Sequence, residues 1–220
     1  MTQIVRPRLA AEHPGETDSG LRRDIGGILA GVAPVVQAGA SDADRDRCFA
    51  PGVLEVLYDQ SLFRLLLPEW LGGDDLGLPE ALAGFEAAAR IDGSFGWAVS
   101  LGSAAGLLAR SFEREAAEEI FGPRDAAVAG SLMVGPASLS GEGFQVSGHW
   151  SFASGSQFAT WFTANCMIGS GRATVAYAGQ QDLHTVAFPR QRVEIIDTWD
   201  VLGMRATSSH DFTVQDEFVP

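Results

Sequence analysis

The chain has no lysine. All 15 of its basic residues are arginine, set against 28 acidic ones, for a net charge of −13. Binding to a phosphate backbone needs clustered cations, and the arginines do not cluster, which argues against a nucleic-acid partner. Cysteine is almost as scarce. Cys48 and Cys166 stand far apart without CxxC spacing, so neither a disulfide framework nor a zinc site is expected, and each reads as a small buried hydrophobe. The four histidines, His13, His149, His184 and His210, are scattered with no second ligand at helical or hairpin spacing, so no metal is expected. No apolar run has the length of a membrane span, and the first twenty residues show no apolar signal core, so a cytoplasmic protein without membrane association is expected. There is no GxGxxG between a strand and a helix, no Walker A loop and no GxSxG elbow. Dinucleotide-binding Rossmann, P-loop and α/β-hydrolase readings lose their signatures accordingly.

What is present is globular: 46% hydrophobic and 20% charged residues over 220 positions, enough for one large or two modest domains. The first half reads helical. Leu21, Ile25, Ile28, Leu29 and Val32 recur at helical spacing, with Pro34 expected to kink or end that helix and 41–47 (SDADRDR) to form a solvated connection. Pro51 sits at a favoured first helical position. Pro79 opens another helix with Leu78, Leu82, Phe85 and Ala89 on its apolar face, and further helices are expected over 96–108 and 113–121. Asp74-Asp75 and Glu118-Glu119 read as solvated charge. After Gly122-Pro123 the texture changes to short strands over 126–134, 143–152, 158–168, 172–178, 184–188, 192–196 and 211–219. Helices followed by strands predict an α+β, multidomain arrangement: a flexible 1–19, an all-α unit over 20–123 and a β-sandwich or β-barrel over 124–220.

Three stretches invite chemistry. Residues 129–136 (AGSLMVGP) form an apolar strand ending in a Gly-Pro bend. Residues 148–161 (GHWSFASGSQFATW) read as an aromatic hairpin turning at Ser154-Gly155-Ser156, the composition of a wall beside a planar, partly polar ligand or simply of a hairpin over a core. Residues 197–211 (DTWDVLGMRATSSHD) place Trp199, Arg205 and a Thr207-Ser208-Ser209 run around Gly203.

Together with PEWLGG (68–73) and ARIDGSFGWA (89–98), these stretches resemble the acyl-CoA dehydrogenase superfamily over residues 20–220. SGHWSFASG stands where its dehydrogenases read roughly NGxKxWITN, and Val134-Gly135-Pro136 replaces their TEP. The SFASG turn and the DTWDVLGMRATSSHDF segment look more like the two-component, flavin-dependent monooxygenases of this fold. The resemblance implies an all-α N-terminal domain, a flavin-contacting β-barrel, and FAD or reduced FMN as cofactor. It also implies a flavin reductase as partner and an aromatic or heterocyclic small-molecule substrate.

Carried over by position, Ser131, Met133 and Val134 run along the pyrimidine side of the isoalloxazine. Phe152 packs on its face, Ala153 approaches through its backbone, and Ser154 offers its hydroxyl to flavin N5. The alternative for Ser154 is a turn hydroxyl bonded to local backbone. The family's C-terminal helical bundle, source of the catalytic base and core of its usual homotetramer, is expected to be absent, so no catalytic residue is assigned. An acyl-CoA dehydrogenase, or a non-catalytic scaffold or interaction module, are the alternative functions, and a truncated or split protein is part of the expectation.

Overall fold

In the computed structural model, which describes residues 3–5, 23–168 and 183–220, five α-helices fill residues 25–121. α1 (Ile25–Asp46) starts at Asp24, whose carboxylate accepts the Gly27 N–H and satisfies one orphan donor. It continues through Pro34 to Asp46. The helix therefore does not end there, and residues 41–46 are its last turns rather than a connection. An interior proline costs about 3 kcal/mol, and burial of Leu29, Val32 and Val36 at ~1.5–3 kcal/mol each offsets it.

α2 (Pro51–Asp59) opens on its proline as expected. α3 (Leu78–Ile91) does not bury the expected stripe: Leu78 and Leu82 face outward, and Ala81, Gly84 and Ala88 face inward. Small residues let α3 lie close against α1 and against α4 (Gly93–Ala105), where leucines would hold the helices apart. α5 (Arg114–Phe121) buries Ala116, Ala117, Ile120 and Phe121. Arg64 is buried and donates to the carbonyls of Leu71, Gly72, Phe121 and Pro123, tying the 68–73 turn to the end of α5. The two aspartates that follow that turn are paired with arginines. Asp74 accepts from Arg23 at 2.6 Å, and both Asp75 oxygens accept from Arg110.

The strands are β1 (Gln3–Val5), β2 (Val128–Ser140), β3 (Gly143–Ala153), β4 (Trp161–Ile168), β5 (Leu183–Pro189), β6 (Glu194–Ile196) and β7 (His210–Val219). They form one mixed sheet in the order β1-β5-β4-β2-β3-β7-β6, antiparallel except for the parallel pair β2–β4. Two expectations change here. β2 does not end at Gly135-Pro136 but continues to Ser140. Residues 148–161 are not a hairpin, because β2 lies between β3 and β4.

Trp150 shows why. Its indole, fully buried and stacked on Phe212 at 5.3 Å, reaches across β2 to donate to the Asn165 carbonyl of β4 at 3.1 Å. A Cβ on Gly135 would fall 2.4 Å from that ring and one on Gly148 2.5 Å, so the two glycines make room for it. The strand expected over 172–178 and the flexible segment expected over 1–19, apart from β1, lie outside the described residues.

Candidate functional site

The site is built on two β-bulges in neighbouring strands. On β2 the pairing with β4 slips between Ser131, opposite Ala164, and Val134, opposite Asn165, leaving Leu132 and Met133 without counterparts. Leu132 is 94% exposed and Met133 is half exposed. On β3, Ser151 and Phe152 together face the single residue Asp211 of β7, since Trp150 pairs with Phe212 and Ala153 with His210. Bulges of this kind re-aim side chains. Ser131 joins them: its hydroxyl donates to the Ser151 carbonyl at 2.6 Å and accepts the Met133 N–H at 3.1 Å.

Phe152 has φ of +66° and a side chain left 64% exposed. A bulky L-residue in this region costs about 1–2 kcal/mol. Asp211 holds it there, accepting from the Phe152 N–H, the Ser151 hydroxyl and His149 Nε2 at 3.3, 3.0 and 2.8 Å. Burial pushes the Asp211 carboxyl up, but hydrogen bonds from His149, Ser151, Thr198 and the Phe152 backbone outweigh it and leave it below the ordinary carboxylate range. The Trp199 ring meets Phe152 edge-on at 6.3 Å.

The loop carrying Trp199 is fastened from two sides. Both terminal nitrogens of Arg47 donate to Asp197, and Arg205 donates to the Asp44 carbonyl, Asp200 and the Val201 carbonyl. From beneath, Nδ1 of the buried His210 accepts the N–H groups of Thr198 and Trp199, each at 3.2 Å. Nε2 lies 3.0 Å from the Gln157 side-chain nitrogen, and Nδ1 also lies 3.3 Å from the Asp197 carboxylate. Burial pulls the His210 pKa down, favouring the neutral imidazole.

Ser154 sits at the seam between sheet and helices. Its hydroxyl accepts from the Trp97 indole N–H of α4 at 3.0 Å and bonds the Ser209 hydroxyl at 2.7 Å. Its partners are thus side chains from two distant elements rather than local backbone. The cleft here, lined by Trp97, Leu101, Ala129, Ser154, Phe158 and Thr207 among others, has a volume of only about 20 Å³. A planar ring does not fit inside it. The exposed apolar side chains at the two bulges are Leu132, Met133 and Phe152.

The structure brings Ser131, Met133, Phe152 and Ser154 into one connected rim. Val134 is half-buried where β2 regains its register, and the Ala153 side chain is buried in the core. Sequence reasoning missed Trp97, a half-exposed aromatic in an Ala/Gly-rich helix, and Asp211, whose role depends on cross-strand pairing.

A helical half running into a mixed sheet is the arrangement of the acyl-CoA dehydrogenase superfamily, and the chain belongs to it, on the flavin-dependent monooxygenase branch. It is 30% identical over 208 residues to the flavin-dependent monooxygenase oxygenase subunit HsaA of Mycobacterium tuberculosis, covering 90% of this chain and 50% of that protein. It is 29% identical to the indole-3-acetate monooxygenase of Acinetobacter baumannii, covering 83% of this chain and 46% of that one. It is also 29% identical to the FADH2-dependent resorcinol hydroxylase oxygenase component of a Rhizobium species, covering 96% and 50%. Among solved structures, the 3-HSA hydroxylase of Rhodococcus sp. RHA1 superposes with a TM-score of 0.78 at 26% identity, covering 90% of this chain and 50% of that one. Streptomyces XiaF, in complex with FADH2 and glycerol, gives 0.77 at 25% identity, covering 91% and 50%. No protein-family profile matches the chain. The chain spans about half the length of the curated relatives it matches.

Proposed function

We propose that the chain forms the flavin-facing wall of the oxygenase component of a two-component monooxygenase. Its substrate is an aromatic or heterocyclic small molecule, and a separate reductase delivers FAD or FMN in reduced form in the cytoplasm. The observation that carries this reading is the joined pair of bulges, which keeps Phe152 in a costly conformation with its ring exposed beside Leu132, Met133 and Ser154. Core packing alone gives no reason for that cost. The names of the matched relatives favour an oxygenase over an acyl-CoA dehydrogenase or a non-catalytic scaffold.

In this reading the helical unit and the sheet unit meet near Gly122-Pro123, with Ser154 and Trp97 at their seam. Phe152 covers the ring face, Ser131, Met133 and Val134 run along its pyrimidine side, Ala153 meets it through backbone, and Ser154 faces N5. Bound there, a reduced isoalloxazine supplies the electrons that activate dioxygen for ring hydroxylation. The protein's part is to position that ring, exclude water from its apolar face and hold a hydrogen bond at N5.

Apolar and aromatic contacts and one hydrogen bond contribute about 0.5–1.5 kcal/mol each, and association costs offset part of that sum, so binding is expected only in the range of about 1 mM or weaker. Anaerobic titration with reduced FMN and reduced FAD, followed by fluorescence, should show saturable binding in that range, weakened several-fold in Phe152→Ala. Absence of binding by either flavin, or binding indifferent to Phe152, refutes the reading.

A further inference from the structure

The Ser154 hydroxyl belongs to a chain of four hydrogen bonds whose direction is fixed at both ends. At one end the Trp97 indole N–H can only donate, and it donates to Ser154 Oγ at 3.0 Å. At the other end the Met204 carbonyl can only accept, and it accepts from Thr207 Oγ1 at 2.8 Å. Between them, Ser154 Oγ lies 2.7 Å from Ser209 Oγ, and Ser209 Oγ lies 2.7 Å from Thr207 Oγ1.

Each hydroxyl has one hydrogen, so the order follows by counting. Thr207 spends its hydrogen on Met204 and must therefore accept from Ser209. Ser209 has then spent its own and must accept from Ser154. Reversing the direction would leave the Thr207 oxygen facing the Met204 carbonyl oxygen at 2.8 Å with no hydrogen between them, which is repulsive. Thr207 and Ser209 are buried, so water does not readily scramble the order. Ser154 Oγ has given its hydrogen to Ser209 and one lone pair to Trp97. What remains is a single lone pair.

We infer that Ser154 is an acceptor-only seat that selects a ligand presenting a ring N–H, and that Ser209 and Thr207 are the positioning residues that make it so. This rests on the flavin reading above and sharpens it. Oxidised isoalloxazine presents a bare N5 that needs a donor, whereas the reduced ring presents N5–H. The resemblance alone had Ser154 offering its hydroxyl to N5; the counted hydrogens reverse the direction of that bond. Discrimination between the two redox forms is then a property of a hydroxyl relay within the protein, independent of turnover.

The test compares dissociation constants of reduced FMN (anaerobic) and oxidised FMN for the wild-type chain and for Ser154→Ala, Ser209→Ala and Thr207→Val. Circular dichroism confirms that each is folded. The wild type should bind reduced FMN more tightly than oxidised. Ser154→Ala should weaken the reduced form by about five-fold, the size of one lost hydrogen bond, without weakening the oxidised form. Ser209→Ala and the isosteric Thr207→Val release the Ser154 hydrogen, so oxidised FMN should bind about five-fold more tightly in both. Ser209→Thr, which keeps the hydroxyl, should restore the wild-type ratio.

Equal wild-type affinity for the two forms, or variants that shift both forms in parallel, overturns the inference while leaving the flavin reading standing. Failure of the wild-type chain to bind either form overturns both.

Discussion

Asp211 holds Phe152 from the next strand, its carboxylate 3.3 Å from the Phe152 N–H, in a backbone conformation that phenylalanine rarely adopts. The same carboxylate takes the Ser151 hydroxyl and His149 Nε2, so a single side chain fastens the whole bulge. Stability is thereby spent on aiming one aromatic ring outward.

Phe152→Gly should therefore separate stability from binding. Glycine adopts positive φ without the steric cost and the ring has little burial to lose, so stability should rise by about 1 kcal/mol, or ~3 °C in Tm. Flavin affinity should fall by several-fold. Thermal denaturation and the flavin titration, run on the same preparation, check the two halves. A lower Tm would show that the conformation is not strained.

His210 should give the fold an acid limit. Its pKa is lowered by burial, with Asp197 and Asp211 opposing and Arg47 assisting. The unfolded chain therefore takes up the proton first, near the ordinary value of about 6.5, and stability is lost as pH falls below it. Protonation at Nδ1 would also set a third hydrogen against the Thr198 and Trp199 N–H groups. His210→Asn can still present an acceptor there but does not titrate. Urea denaturation between pH 7 and 5 should show a decline in the wild type that is much flatter in this variant. The Asp211 carboxyl, held below its ordinary range, has its effect in a lower window: its stabilisation is present above the usual carboxylate pKa and is lost as pH falls from there through the lowered folded value.

Arg64→Met should be among the most damaging single changes in the helical half. The guanidinium donates to four carbonyls, two of them through fully enclosed contacts, and methionine leaves those oxygens without donors. A loss of about 3 kcal/mol or more is expected by chemical denaturation. Arg64→Lys should recover only part of it, because one ammonium cannot span the positions of a planar fork.

Gly135→Ala should cost about 1–3 kcal/mol through collision with the Trp150 ring. The penalty should shrink in a Trp150→Phe background, where a smaller ring leaves room. A double-mutant cycle read by thermal denaturation measures that coupling; strict additivity would mean that the ring does not cross β2 as described.

The helical half was legible wherever punctuation was local. Pro51 opened α2, and Gly122-Pro123 followed α5, because each residue acts through its own backbone. Pro34 misled because tertiary burial outweighed a local penalty, and Leu78 and Leu82 misled because close helix packing preferred alanine. On the sheet, Ser131, Met133, Phe152 and Ser154 could be named by resemblance. Their geometry could not, since a bulge is a mismatch between two strands and neither strand's sequence contains it. Trp97 and Asp211 escaped for the same reason: each acts on a residue more than fifty positions away.

The parallel pairing of β2 with β4 has a kinetic consequence. With β3 lying between them in the chain, Ser131 meets Ala164 only after a long loop has closed, and Asp211 reaches Phe152 only after a longer one. Contacts of such sequence separation form slowly. The outward-facing wall therefore assembles after the local helices, and substitutions within it should act mainly on how fast the finished sheet comes apart rather than on how fast it is made.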